Sequence, residues 1–249
     1  MSKRFIDLNA DMGEYADGDQ QANEAALMPL ISSCSIACGG HAGDNMTMRE
    51  TLRLAKAHGV SVGAHPAYPD REGFGRRHLT FESAALLSSL HAQVSDLRAI
   101  AKSDGITLRH VKPHGALYND AARNIDLANL VADAAGDAII VGPPGSALET
   151  AARAHGRAFA AEGFVDRLYL TSGALTPRSE PGAVIADIDA RANQALAIAR
   201  GDSFTAAGGE LQLAVKTLCI HSDSPGAVDT AKAVRHALEK DGFAIQAFA

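Results

Sequence analysis

Short apolar runs recur along the chain at residues 4–8, 33–37, 60–64, 108–111, 138–141, 158–161 and 217–220, and most are separated by longer stretches of helical composition. The helical stretches cover 46–58, 81–103, 125–135, 146–154, 188–199 and 227–240. Their boundaries agree with helix chemistry. Asp44 or Asn45 stands ahead of Met46 as a cap, and Thr80-Phe-Glu-Ser opens the longest helix. His58-Gly59, Asp104-Gly105, His155-Gly156 and Asp241-Gly242 close four helical runs with a glycine able to turn left-handed. A strand followed by a helix, repeated, requires parallel strands with helical crossovers, so the class is α/β, either a doubly wound sheet or a barrel.

The placement of polar residues selects between the two. They follow nearly every strand: Asn9, Asp11 and Glu14; His41 and Asp44; His65, Asp70, Arg76 and Arg77; Lys112, His114, Tyr118 and Asn119; Glu162, Asp166, Arg167 and Tyr169; His221 and Asp223. In a barrel all of these converge on the carboxyl-end face, whereas a doubly wound sheet gathers its site at one switch point. The expectation is a (β/α) barrel of the TIM type with seven or eight strands. Residues 179–182 and 206–209 read as loops around an inserted helix. No linker or low-complexity tract divides the 249 residues, so one domain over 1–249 is expected.

Composition narrows the function classes. An apolar fraction of 47% against 21% charged residues excludes a chain disordered throughout. Twenty-three basic against twenty-nine acidic residues, a net −6, argues against a nucleic-acid or anionic-membrane surface. The segment MSKRFIDLNADMGE has no apolar core of a signal peptide, no apolar run approaches membrane-spanning length, and the mean hydropathy is −0.03. A cytoplasmic protein without membrane insertion is expected. Cys34, Cys38 and Cys219 are odd in number and lack C-x-x-C spacing, which argues against a disulfide framework and a zinc knuckle.

The first strand, IDLNADMGE, places Asp7, Asn9 and Asp11 on one side by its period of two. Burying such a row costs several kcal/mol unless partners or a ligand offset it. ACGGHAGD surrounds His41 with glycines, and GAHPAYPDREGFGRR holds His65 before a proline, with Arg76 and Arg77 suited to a carboxylate or phosphoryl group. VKPHGALYN sets Lys112 and His114 two residues apart, facing one cavity. CIHSDSPGAV supplies His221 and Asp223, with Ser224-Pro225 fitting an N-cap and first helical position; capping alone accounts for Asp223 or Ser224 but not for His221. No phosphate-cradling G-x-x-x-x-G-K-[ST] occurs.

Taken in order, DLNADMGE, ACGGHAGD, GAHPAYPDREGFGRR, VKPHGALYN, AEGFVDRLY and CIHSDSPGAV resemble the LamB/YcsF family from Asp7 to about Gly226. The resemblance implies a seven-stranded barrel related to glycoside hydrolase and deacetylase barrels. It also implies a component of an ATP-dependent 5-oxoprolinase that, with subunits B and C, opens 5-oxo-L-proline to L-glutamate. ATP would be a co-substrate bound by the partner subunits. In this reading Asp11, Lys112, His114, His65 and Asp223 are catalytic, and Asn9, His41, Arg76, Arg77, Tyr118 and His221 bind substrate. A homo-oligomer is compatible with the sequence.

The chain departs from the family pattern at Ala10 for cysteine, Gly40 for phenylalanine and Ser222 for glycine. Gly40 thereby removes an aromatic wall beside His41. By analogy with deacetylase barrels, Asp11 matches the catalytic base while Met12 stands where a metal-binding aspartate would be. Two alternatives remain: a stand-alone metal-dependent deacetylase or amidohydrolase holding a divalent ion through Asp11, His41 and His65, and a non-catalytic scaffold that binds lactam or partner subunits.

Overall fold

The computed structural model describes residues 4–248. The order is β1 (Arg4–Met12), α1 (Gly18–Leu27), β2 (Ser33–Ala37), α2 (Asn45–His58), β3 (Ser61–His65), α3 (Ser83–Ser103), β4 (His110–Val111), α4 (Gly115–Ala121), α5 (Ile125–Ala135), β5 (Ile139–Gly142), α6 (Ala147–Ala154), β6 (Phe159–Phe164), α7 (Ile188–Arg200), β7 (Phe204–Ala206), β8 (Gly209–Leu211), β9 (Thr217–Ile220), α8 (Ala227–Lys240) and β10 (Phe243–Ile245). Strands β1 to β6 pair in sequence, all parallel, and β9 joins β6 on one side and β1 on the other, closing a seven-stranded barrel ringed by helices. The seven runs expected from the sequence are its seven staves.

Leu8, Ile36, Val62, Val111, Ile140 and Leu218 alternate with the inward residues and pack in one continuous core with Leu52, Leu90, Val131, Leu148, Ile198 and Val234 of the helices. Each such side chain, fully buried, contributes about 1.5–3 kcal/mol. The apolar core is therefore the shell between barrel and helices, and the barrel interior is left to the polar residues.

Local signals held at some ends and failed at others. Asp44 Oδ1 accepts from the Met46 and Thr47 amides, and Gly59 closes α2 at φ +68°. Helix α3 starts only at Ser83, with Glu82 as its N-cap and no side-chain capping bond, so Thr80 lies outside it. Ser224-Pro225 does not cap α8 either; Gly226 does, at φ +73°, and Ser224 is used elsewhere. Strand β1 continues four residues beyond the apolar run, because Asn9–Met12 still find backbone partners in β2. β10, not expected, pairs with Arg4–Ile6 below the barrel. Residues 206–209 form the turn of the β7–β8 hairpin. Among the described residues no helix is long and apolar enough to cross a membrane.

Candidate active site

The polar row of β1 continues across the barrel in stacked layers. In the lower layer Asp7 accepts hydrogen bonds from the hydroxyls of Ser32 (2.6 Å), Ser33 (2.8 Å) and Thr217. Burial nevertheless outweighs those donors and pushes its carboxyl up to about 6. The His110 ring lies 3.2 Å from the Ser35 hydroxyl, where Gly63 leaves it room: a Cβ there would lie 2.3 Å from the ring. One layer higher the Lys112 ammonium lies 2.9 Å from Glu162 Oε1, 3.0 Å from Asn9 Oδ1 and 2.6 Å from Asp11 Oδ1. Asn9 Nδ2 donates to Glu162 Oε1 (3.0 Å) and Thr217 Oγ1 (2.6 Å), completing the cage. Burial opposes charge on Lys112, yet Asp11 foremost and Glu162 with it hold the ammonium well above its ordinary range. Asp11 is likewise opposed by burial and held well below the usual carboxylate range by His65 and Lys112.

Above this cage opens a cavity of about 410 Å³. Its floor is Asp11, Lys112 and the imidazoles of His65 and His114 with Glu14. His65 Nδ1 lies 2.7 Å from the Lys112 carbonyl and His114 Nε2 lies 2.9 Å from the Phe74 carbonyl. Their other nitrogens, His65 Nε2 and His114 Nδ1, are 3.0 Å apart. Glu14 Oε1 is 3.2 Å from His114 Nδ1, 3.7 Å from His65 Nε2 and 2.6 Å from His41 Nε2. His41 stacks on His114 with ring centroids 3.6 Å apart and planes 2° from parallel. Burial, then His114 beside it, pushes His41 down to about 4, so its ring is neutral at pH 7.

The GFGRR loop builds this arrangement at a conformational cost. Phe74 has φ +52°, the one non-glycine left-handed residue among those described, and such a backbone costs on the order of 1–2 kcal/mol. The turn delivers its carbonyl to His114 and its ring edge-on to both His41 and His114. Gly75 follows, where a Cβ would lie 2.9 Å from His41 Cβ and 3.0 Å from His114 Cδ2.

On the opposite wall Asp166 Oδ1 is 2.9 Å from His221 Nδ1, and Asp166 Oδ2 accepts from Ser224 Oγ at 2.7 Å. Burial opposes the charge on Asp166, but His221 and the Ser224 hydroxyl hold it down at about 2. With Nδ1–H committed to Asp166, His221 turns Nε2 to the cavity while its ring stacks on Phe164 at 5.2 Å. Asp11, Cys219 and His221 bring ligating atoms within 4.8 Å of one another. Arg76, Arg123, Arg167 and Arg178 line the walls and mouth, with Asp223 between Arg76 and Arg178 (3.6 Å).

Of the residues singled out from sequence, Asp11, His65, Lys112, His114, Arg76, Tyr118, His221 and Asp223 line this cavity. Three expected to bind substrate do not line it. Asn9 is consumed by the Lys112 cage beneath the floor, His41 lies behind Glu14 and His114, and Arg77 turns outward to pair with Asp70. The expected metal set of Asp11, His41 and His65 is also not the one that converges: Glu14 and His114 join His65 and His41, while Asp11 is engaged by Lys112. Met12 points outward into the apolar shell, completely buried, so the residue that reaches the cluster is Glu14, two positions further on. Gly40 removes no wall, because it packs against Gln93 and Phe74 supplies the aromatic face beside His41. Glu14 and Asp166 were named among the rim residues but given no role from sequence, and Arg123 and Arg178 were not named. Glu14 and Asp166 carried a signal, as acidic residues just past strand ends; the two arginines sit in helix-end and loop positions that carry none.

The LamB/YcsF family model matches residues 6–249. Among similar proteins, the A subunit of a 5-oxoprolinase from Bordetella pertussis is 45% identical over 247 residues, covering 97% of this chain and 98% of that one. The crystal structure of a lactam utilization protein from Thermus thermophilus superposes with a TM-score of 0.89 at 42% identity, covering 98% of this chain and all of that one. A family 4 carbohydrate esterase of Streptomyces lividans, at 13% identity, 99% and 93% coverage and a TM-score of 0.51, shares the fold. With the family's model matched along nearly all its length and its ordered motifs gathered at one end of the barrel, the chain belongs to the LamB/YcsF family.

Proposed function

We propose that this chain performs the hydrolytic ring opening of 5-oxo-L-proline to L-glutamate as the A component of an ATP-dependent 5-oxoprolinase, with subunits B and C binding ATP. The observation that carries the reading is the pairing, across one cavity, of an ionised carboxylate on an ammonium (Asp11–Lys112) with a carboxylate-oriented imidazole (Asp166–His221). Amide hydrolysis needs a base for water and an acid for the departing nitrogen. Asp11 takes a proton from water as the oxygen bonds to the lactam carbon. Lys112 lies beside the oxyanion that forms, and His221 in its doubly protonated form donates the Nε2 proton to the ring nitrogen as the carbon–nitrogen bond breaks, the proton taken up by Asp11 then restoring it. Arg76 or Arg178 at the mouth holds the substrate carboxylate.

A lactam is a stable amide, and coupling to ATP through partners supplies the drive that this chain, with no phosphate cradle in its sequence, does not bring. The test is an assay of 5-oxoproline and ATP with this chain alone, with candidate B and C subunits alone, and with all three. Glutamate from the full set only is expected. Turnover by the isolated chain on N-acyl sugars or simple amides would favour the deacetylase reading instead, and unchanged complex activity after Asp11→Ala would favour the scaffold.

A further inference from the structure

Two imidazole nitrogens, His65 Nε2 and His114 Nδ1, face one another at 3.0 Å, a separation that requires a proton or a metal ion between them. His65 Nδ1 and His114 Nε2 each face a backbone carbonyl, which only accepts, so those nitrogens carry protons. His65 Nε2 and His114 Nδ1 are thereby turned on one another, with the Glu14 carboxylate beside both and Asp11 Oδ2 3.4 Å from His65 Nε2. Binding the outer N–H to a carbonyl and presenting the other nitrogen inward is how metal-ligating histidines are oriented.

We propose that Glu14, His65 and His114 form a site for one divalent transition ion of the zinc type. The three donor separations, 3.0, 3.2 and 3.7 Å, bracket the edge of about 3.4 Å that a tetrahedron requires when its bonds are about 2.1 Å. Two nitrogens and one carboxylate oxygen suit zinc, cobalt or iron(II) over magnesium or calcium, which prefer oxygen alone. All three side chains line the cavity, so the fourth position faces it, the pattern of a catalytic rather than a structural site. His41 is a positioning residue: its Nε2–H holds Glu14 Oε1, its ring lies flat on His114, and its buried Nδ1 finds no partner. The second convergence, Asp11, Cys219 and His221, is a poorer host because Lys112 lies 2.6 Å from Asp11 and 3.3 Å from the Cys219 sulfur, placing an ammonium where a cation would sit. The inference stands on this donor geometry and not on the lactam reading.

The experiment loads chelator-stripped full-length protein with Zn²⁺ or Co²⁺, removes free ion, and measures bound metal by elemental analysis. One ion per chain is expected, and the Co²⁺ form is expected to show the visible absorption of a four- or five-coordinate site. Glu14→Gln, His65→Asn and His114→Asn should each weaken Co²⁺ binding at least about 100-fold, and His41→Asn by about 10–100-fold, the scale for a group that orients a ligand. His91→Ala, on the exposed face of α3, should bind as the parent does. Should a variant fail to fold, ¹⁵N NMR of the Zn²⁺-loaded parent reads the same point: His65 Nε2 and His114 Nδ1 should carry no proton and shift on metal addition. Retention of less than a tenth of an equivalent, unchanged affinity in both His65→Asn and His114→Asn, or a proton on either inward nitrogen with Zn²⁺ present would overturn the proposal. None of these readouts requires 5-oxoproline, ATP or a partner protein.

Discussion

Replacing Lys112 by methionine removes the one cation from a cage whose members are nearly sealed: Lys112 is 2% exposed, Asp11 7% and Glu162 1%. At an effective dielectric near 20, the attractions at 2.6 and 2.9 Å are each about 6 kcal/mol before desolvation. Against this, the absent ammonium no longer has to be dehydrated, a return of several kcal/mol. The expected net loss is about 3–5 kcal/mol, the range for stranding the partner of a buried ion pair. The charge argument makes two further demands. Glu162→Gln in the Lys112→Met background should recover about 0.5–3 kcal/mol, because it removes one stranded carboxylate. Asp11, deprived of the ammonium that helps hold its carboxyl low, becomes harder to ionise in the fold than in the unfolded chain. The Lys112→Met defect is therefore largest near neutral pH and shrinks as acid protonates Asp11. Urea unfolding of the four proteins of this cycle at pH 7.5 and 5.5 measures all three effects. A single-variant loss under about 1 kcal/mol, or a double variant no more stable than Lys112→Met, would refute the idea that Lys112 is held by charge and not merely by shape.

Asp166→Asn should leave the fold intact but release His221 from its tautomer, reducing glutamate formation by the reconstituted complex by about 10²–10⁴-fold in kcat with KM little altered; a loss under threefold would remove His221 from the acid role. Arg76→Ala is expected to lower kcat/KM for 5-oxoproline by about 10–150-fold, the worth of a charged hydrogen bond, whereas Arg77→Ala, whose guanidinium faces Asp70, should stay within threefold. Equal effects at both positions would mean the loop acts as a unit. Asp7→Asn should gain on the parent as pH rises from 4 to 7. The Asp7 carboxyl stands at about 6 in the fold against 3.8 unfolded, so its ionisation costs the parent up to about 3 kcal/mol over that window and costs the variant nothing. Buried His110, pushed down to about 3, acts in the opposite direction but is common to both proteins. Thermal unfolding at pH 4, 5, 6 and 7 gives the difference, and a gap that does not change with pH would contradict it.

What was legible in the sequence was what depends on local spacing. The period of two in IDLNADM assigned Asp7, Asn9 and Asp11 to one face, and Gly59, Gly105, Gly156 and Gly242 marked where four helices end and the next strand is near. Polar residues after nearly every strand are the linear trace of a closed barrel, since only closure brings all strand ends to one rim. Asp11, His65, Lys112, His114 and His221, named from the sequence, accordingly line the cavity at that rim.

The division of labour within the polar set was decided by the tertiary structure. Asn9 and Asp11 are indistinguishable as members of one row, yet a rise of two residues along β1 places the first in the Lys112 cage beneath the floor and the second in the cavity. Arg76 and Arg77 are neighbours in sequence, but the left-handed turn at Phe74-Gly75 aims one inward and leaves the other to Asp70. Ser224 reads as a helix cap and instead holds Asp166. The grouping of Glu14 with His65 and His114 joins three strand ends that lie far apart in the chain. Local sequence carries dihedral preference and face; which lone pairs meet is set by barrel closure and by the carbonyls of Lys112 and Phe74 that fix each imidazole from behind.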